Sequence, residues 1–492
     1  MRAARSVRQG APAGRGGAPR ARSRHNARMS SLRRTALDQY AERVRPEYER
    51  ALRDLVEIPT VSSHPTHRAD MRRGADAAAA LVRAAGGQAR VLRTGGHPLV
   101  VGDFPAPRGT PTVVLYNHLD VQPAEREAEG WRTEPFRFVR RGDRYFGRGT
   151  TDDKGPALAA LFGVRAAREA GVPVGVRLLW EMEEEIGSPS LEPQLRRLAT
   201  REPPHSVVVS DAAWLDRRRP TSIAGLRGFI GFRLVLDTAE GEAHSGDVGG
   251  AARNPIAELM QLVAELHDAR TGRVKVPGFY DDVVPLTRRE REDFRRSGFS
   301  LATYKRDNHL RLLRATDPAL VLERIWARPT FEVHGVVGGY TGPGIKATVP
   351  GHAEAKVSCR LVPRQRPERI ARLITAFVRK RNPDVVVHAE GASLPYEGSS
   401  QGPVADAVRR AMSFAFGRTP AFVRDGGTIG AVVSMGRILR CPIGFLNLSL
   451  PEHGYHAPNE NFDWGQAAGG MAAFARYLEE VAQPRGAKGS RP

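Results

Sequence analysis

Apolar positions recur at helical spacing over residues 35–55 (Leu37, Tyr40, Val44, Tyr48, Leu52, Leu55), and Pro59 follows the run. A second helix is expected over 69–85. Beyond it the pattern changes to short runs rich in β-branched and apolar residues, at 89–92, 99–102, 112–116, 174–180, 206–209 and 444–450. An Ala- and Leu-rich helical stretch, 157–167, separates the third run from the fourth. Strands that alternate with helices predict an open α/β sheet, in which ligand sites gather beyond the carboxyl ends of the strands.

The segment 222–424 has a different character. It opens on a strand-like run at 229–236 and continues into Ala243-His244-Ser-Gly246 and Gly249-Gly250. A helix follows, with Asn254 as N-cap, Pro255 at the first helical position and Ile256, Leu259, Met260, Val263 and Leu266 along one face. Residues 275–325 are charged and irregular, and read as insertions and helices. Later strands at 353–361 and 384–388 flank a helix at 367–380. These elements suggest an α+β domain inserted into the first one. The expected division is an Arg-rich leader at 1–34, a first catalytic part at 35–221, the insertion at 222–424, a second catalytic part at 425–482 and a flexible tail at 483–492. No internal repeat is visible.

Composition narrows the class. The 492 residues include 41% hydrophobic and 26% charged, the balance of a soluble globular protein. No apolar run approaches the ~20 residues of a membrane span. The two cysteines, Cys359 and Cys441, sit in apolar runs and read as buried free thiols in a reducing cytoplasm. The net charge of +21 invites a nucleic-acid reading, but residues 1–34 hold ten arginines and no acidic residue, which leaves 21 − 10, or +11, for the rest of the chain. Only seven of the 75 basic residues are lysine, a skew that coding bias explains as readily as function. Residues 1 to about 30 contain no Leu, Ile, Phe, Tyr or Trp, so disorder is expected there; a start at Met29 would omit nearly all of them. Nucleic acid and membrane are therefore not expected as partners.

The chemistry lies at the ends of the apolar runs. They lead into Asn117-His118-Leu119-Asp120, Glu181-Met-Glu183-Glu184-Glu185, Ser210-Asp211 and Pro451-Glu-His-Gly-Tyr-His456, while Gly147-Arg-Gly-Thr-Thr-Asp152-Asp153-Lys154 precedes a helix. Each cluster alone would suit a solvated turn or an acidic helix start. Together, two imidazoles (His118, His456) and four carboxylates (Asp152, Glu184, Glu185, Asp211) form a ligand set for two divalent ions, with Zn²⁺ favoured and Mn²⁺ or Co²⁺ compatible. Asp152 suits a carboxylate shared between ions ~3.5–4 Å apart. Asp120, two residues past His118, is placed to receive the imidazole N–H. Of the pair Glu184-Glu185, one carboxylate can bind metal while the other moves a proton. His244, in a Gly-rich loop, is either an ordinary loop histidine or a group that touches a ligand oxygen. Arg360, in an apolar strand, is either a surface residue or an anion clamp.

His118-Leu-Asp120-Val-Gln-Pro123, Gly147-Arg-Gly-Thr-Thr-Asp152-Asp-Lys-Gly155, Glu184-Glu185-Ile-Gly-Ser188, Ser210-Asp211, His244-Ser-Gly246 and His456-Ala-Pro-Asn-Glu460 resemble, in order and spacing, the M20 family of metallopeptidases, over roughly residues 36 to 480. The Val-Gln-Pro and Thr-Asp-Asp-Lys-Gly-Pro variants look most like its branch of cytosolic dipeptidases and carnosinases. The resemblance implies a zinc-exopeptidase-like open mixed sheet flanked by helices, with the insertion acting as lid and dimerisation domain. It implies His118 and Asp211 on one ion, Glu185 and His456 on the other, Asp152 as bridge, Glu184 as general base and Asp120 behind the ligands. It also implies that His244 acts on the partner subunit's site in a homodimer, and that Arg360 grips the substrate carboxylate with Thr428 nearby. One departure stands out: the family often has Lys-Thr ahead of a short apolar run and Pro, where this chain has Lys346-Ala347-Thr348-Val-Pro350. The expected activity is hydrolysis of dipeptides or small peptides. An N-acyl-amino-acid deacylase or desuccinylase would use the same centre, and a non-catalytic basic binding protein would leave the ligand motifs without a purpose.

Overall fold

The computed structural model describes residues 32–483; the expected leader, up to residue 31, and the expected tail, from residue 484, lie outside the described residues. The central sheet has six strands in the order Gln88–Leu92, Leu99–Phe104, Gly175–Glu181, Thr112–His118, Ser206–Val209 and Ile443–Phe445. The last four run parallel, and the first two are joined in antiparallel fashion, so the sheet is mixed. The parallel strands explain their near-continuous apolar sequences, since both of their faces are covered. Along Thr112–His118, Val113 and Leu115 enter one hydrophobic cluster while Val114 and Tyr116 enter another on the opposite face.

Helices Arg34–Val56, Arg68–Ala84, Lys154–Glu169, Pro403–Phe416 and Trp464–Ala482 cover the first face. Lys154–Glu169 is buried on nearly every side, which its Ala-rich sequence permits. The opposite face is covered by Leu191–Leu198 and Gly430–Leu439. Helices expected at 35–55, 69–85 and 157–167 thus appear with ends shifted by one to three residues. The run expected as a strand over 444–450 shortens to Ile443–Phe445, because its partner strand ends at Val209; the Leu446 N–H still reaches the Val209 carbonyl, and farther on the Ser449 carbonyl accepts the Trp214 N–H.

A second, antiparallel sheet has the order Thr330–Gly338, His352–Leu361, Gly228–Asp237 and Val386–Ser393. Helices Pro255–Leu266 and Pro367–Arg381 pack on one of its faces through Leu259, Leu262, Leu266, Ile370, Ile374 and Val378, forming a core drawn only from residues 230–387. Asn254 caps the first of these helices, accepting the N–H groups of Ile256 and Ala257 at 3.1 and 3.2 Å. The stretch 275–325, read as insertions and helices, holds three short capped helices, Arg288–Arg296, Leu301–Asp307 and Pro318–Trp326. Thr287 and Glu290 form a reciprocal capping box at the first. Cys359 is buried, Cys441 half-buried, and neither forms a disulfide.

Candidate metal centre

The parallel strands all end at one edge of the central sheet, and each end delivers a ligand-type side chain. His118 is the last residue of its strand, Glu184 and Glu185 follow Gly175–Glu181 in a short 3₁₀ turn, and Asp211 comes two residues after Ser206–Val209. His456 lies beyond Ile443–Phe445, in the left-handed region at φ 52°, a conformation a non-glycine residue holds only where its surroundings enforce it. Asp152 departs from the strand-end expectation. It precedes helix Lys154–Glu169, in a loop that follows Arg144–Phe146, a strand of a separate three-stranded sheet.

Glu460 holds that loop. Its buried carboxylate accepts the N–H groups of Gly149, Thr151 and Asp152 at 2.9, 2.9 and 3.1 Å, and the Arg148 guanidinium at 2.9 Å. Gly149, at φ +88°, would set a Cβ 2.7 Å from a methyl of Val121, so both its backbone and its surroundings require glycine. Behind the loop, the buried Lys154 ammonium donates to the carbonyls of Leu55 and Ile58, and burial pushes it down to about 7.

Two groups of ligand atoms result, each within 4.8 Å of one another: His118, Glu184 and Asp211, and Asp152, Glu185 and His456. Asp152 links them. Its Oδ1 lies 3.0 Å from Nε2 of His118 and its Oδ2 3.0 Å from Nε2 of His456, which is also 3.1 Å from Glu185. Asp211 lies 3.9 Å from His118 Nε2. Gln122, which sequence reading passed over inside the Val-Gln-Pro motif, donates to Glu185 at 2.7 Å.

The electrostatics are those of a cation site. Burial and the neighbouring Asp211 push Glu184 well above the usual carboxylate range, and burial together with Asp152 and Glu185 raises Asp211 to about 7. Burial also opposes charge on Asp152, but hydrogen bonds from His118 and His456 outweigh it and hold this carboxyl low. Hydrogen bonds to Asp152 and Glu185 raise His456 to about 10. Imidazolium protons thus do for the acids what a divalent ion does better, because an ion neutralises several carboxylates at once. His nitrogen and carboxylate oxygen without thiolate suit Zn²⁺, Mn²⁺ or Co²⁺, so the residues fit the expected metal.

Asp120 does more than its spacing predicts. Nδ1 of His118 lies 3.4 Å from the Asp120 carboxylate and 3.0 Å from its backbone carbonyl. The carboxylate also accepts the backbone N–H groups of Glu184 and Glu185 at 3.1 and 3.0 Å, so it orients the turn that carries both acids. Spacing along one strand could not show this partner on the next strand. Asp153, Asn117 and Glu181 are further buried polar groups beneath the ligands: Asn117 donates to Asp153 at 2.8 Å, and Tyr116 donates to Glu181 at 2.6 Å.

The remaining site candidates lie on other elements. Arg360 and Thr428 meet: the Arg360 guanidinium donates to the Thr428 hydroxyl at 3.1 Å and stands 5.1 Å from the Phe229 ring centre. His244 is exposed on the two-residue strand Ala243–His244, paired with Thr348–Val349, and joins neither ligand group. Its Nδ1 accepts the Gly246 N–H at 3.0 Å. Where the family often has threonine, Ala347 gives only a carbonyl, to Ser245 at 2.9 Å, and the Thr348 hydroxyl turns to Glu242 at 3.4 Å.

Residues 114–480 match the profile of peptidase family M20/M25/M40. The chain is 31% identical over 396 residues to Beta-Ala-His dipeptidase of Homo sapiens, covering 78% of each protein. It is 30% identical over 463 residues to the Cys-Gly metallodipeptidase dug1 of Schizosaccharomyces pombe, covering 90% of this chain and 97% of that one. Among solved structures, the di-peptidase Dug1p of Saccharomyces cerevisiae superposes with a TM-score of 0.80 at 26% identity, over 92% of this chain and 99% of the other. The ligand groups at the sheet edge, the mixed sheet behind them and the match over most of the chain agree: this protein belongs to peptidase family M20/M25/M40.

Proposed function

We propose that the protein is a dinuclear, metal-dependent dipeptidase. The observation behind this reading is the pair of ligand groups joined through Asp152, within hydrogen-bond distance of a histidine in each. His118 and Asp211 would hold one ion, Glu185 and His456 the other, and Asp152 both, with zinc the first expectation. When bound, such ions supply Lewis acidity toward the peptide carbonyl and acidify water. Glu184, raised by burial and by Asp211, is suited to take a proton from the attacking water and deliver it to the leaving amine. Asp120 keeps Glu184 in place through its backbone N–H.

His244 accepts the Gly246 N–H at Nδ1, which leaves the proton on Nε2 as a donor for a developing oxyanion. Its exposure fits action in a second subunit of a homodimer. Arg360, with Thr428 beside it, would receive the substrate's terminal carboxylate. The core drawn from residues 230–387 supports reading 222–424 as a lid inserted between catalytic parts 35–221 and 425–482. Among the described residues no helix is long and apolar enough to cross a membrane, and the two thiols are unpaired; a cytoplasmic location is the reading both suit.

The test is hydrolysis of a dipeptide panel beside N-acetyl and N-succinyl amino acids, using metal-stripped protein before and after Zn²⁺, Mn²⁺ or Co²⁺ is restored. Dipeptide cleavage that returns with metal is the expected result. Cleavage of acylated amino acids alone would move the activity to a deacylase on the same centre.

A further inference from the structure

A cavity of about 990 Å³ lies beside Arg360, and its wall is basic: six arginines against two glutamates, Glu323 and Glu332. Glu323 is already committed, to Arg291 and Arg328 at 2.8 Å each. The arginine of interest is Arg227, which immediately follows strand Thr221–Leu226 and stands on the cavity wall with Arg360, Phe229 and Ser358. Among the described residues, neither Arg227 nor Arg360 forms an ion pair. Arg227 donates through Nε to the Gly426 carbonyl at 3.2 Å, while its Nη1 is buried without a hydrogen-bond partner. An unmatched buried donor on a charged group is costly, and a carboxylate in the cavity would satisfy it once the guanidinium turns to expose Nη1.

The two arginines are tied together by Thr428, whose hydroxyl accepts from Arg360 at 3.1 Å and donates to the Arg227 carbonyl at 2.5 Å. Burial, and after it the positive charge of Arg360, push the Arg227 guanidinium down to about 10, which leaves it protonated at neutral pH. Two cations thus face one cavity, and the anions that act on them, Asp425 on both and Glu332 on Arg227, do so at a distance without forming an ion pair among the described residues. One terminal carboxylate on Arg360 would leave Arg227 without a paired anion.

We infer that Arg227 is a specificity residue that receives a second carboxylate, so that the protein prefers dipeptides whose C-terminal residue is Asp or Glu. This rests on the reading of Arg360 as the clamp for the terminal carboxylate. A neutral side chain of equal size, such as Gln, would fill the same space but leave Arg227 unpaired.

The experiment compares kcat/KM for Ala-Glu and Ala-Gln, near-isosteric and differing in charge, in the metal-loaded full-length protein and in Arg227→Gln. The wild type should favour Ala-Glu by about tenfold or more, the scale of one charge-assisted contact, and the variant should bring the ratio close to one. Equal cleavage of both peptides by the wild type, or an undiminished ratio in the variant, would overturn the inference. Calorimetric binding of glutarate against butyrate gives a readout independent of hydrolysis. Preference for glutarate that disappears in Arg227→Gln, in a protein that cuts no dipeptide, would uphold the dianion site and remove the dipeptidase reading. Dipeptide cleavage without either preference would do the reverse.

Discussion

Residue by residue, the centre is a set of groups that compete for protons until a metal arrives. Glu184, raised by burial and by Asp211, is the acid within the two ligand groups that the proposed reading leaves free of a ligand role. Glu184→Gln is therefore expected to lower kcat by about 10²–10⁴ or more while the bound metal, measured by elemental analysis, stays at the wild-type level. Near-full activity in a metal-replete variant would remove Glu184 from the proton-transfer role. The imidazoles make a second prediction. His456 is raised to about 10 and His118 is raised well above its ordinary value, so at neutral pH the metal-free centre carries protons that a metal must displace. Because the raised groups bind protons below their folded values and release them on metal binding, affinity should rise with pH toward about 10. Calorimetry of zinc binding in two buffers of different ionisation enthalpy should register net proton release; uptake, or none, would contradict the assignment.

Which residues would cluster was legible because histidine and carboxylate ended apolar runs, a pattern that a sheet converts into proximity. What Asp120, Gln122 and Glu460 do was not legible, because their partners are backbone amides and side chains far along the chain. Glu460 reaches Gly149, Thr151 and Asp152 across more than 300 residues of sequence. No periodicity carries that information.

Among the elements, helix Lys154–Glu169 shows what positions the Asp152 loop. It packs on Trp464–Ala482, and Gly163 makes the approach close: an added Cβ would lie 2.6 Å from Cβ of Phe474 and 2.8 Å from the Met471 carbonyl oxygen. Backbone cannot yield as a side-chain tip can, so Gly163→Ala should destabilise the fold by about 1–3 kcal/mol despite alanine's better helix propensity. Chemical denaturation with the metal-loaded protein would measure it, and an unchanged or higher midpoint would mean the helices can separate at no cost. Its Ala- and Leu-rich composition made this helix recognisable from sequence. The requirement for glycine at one contact depends on the facing helix, which lies near the other end of the chain.

For the molecule as a unit, the exposed position of His244 is the strongest consequence of the fold for assembly. If it completes a partner's site, the protein must be a dimer in solution, and sedimentation equilibrium should give twice the chain mass. Mixing His244→Asn with Glu184→Gln subunits should then recover part of the activity, because each mixed dimer retains one site with both groups intact. A monomer of full activity would refute the arrangement. The edge strand Thr330–Gly338 leaves Val333, Val336 and Val337 exposed.

Local pattern was enough to mark the residues that the fold gathers into two ligand-type groups, the alternation of strands and helices behind them and the cap of helix Pro255–Leu266, because each depends on neighbours in the chain: apolar runs, their ends, and the residue that starts a helix. Only the folded molecule reveals that Asp120 holds the Glu184–Glu185 turn, that Glu460 holds the Asp152 loop, that the Thr348 hydroxyl opposite His244 turns to Glu242, and that Arg227 faces the same cavity as Arg360. Those facts arise from which strands become neighbours, and long-range pairing is set by the packing of whole faces, where the order of residues along the chain no longer measures distance.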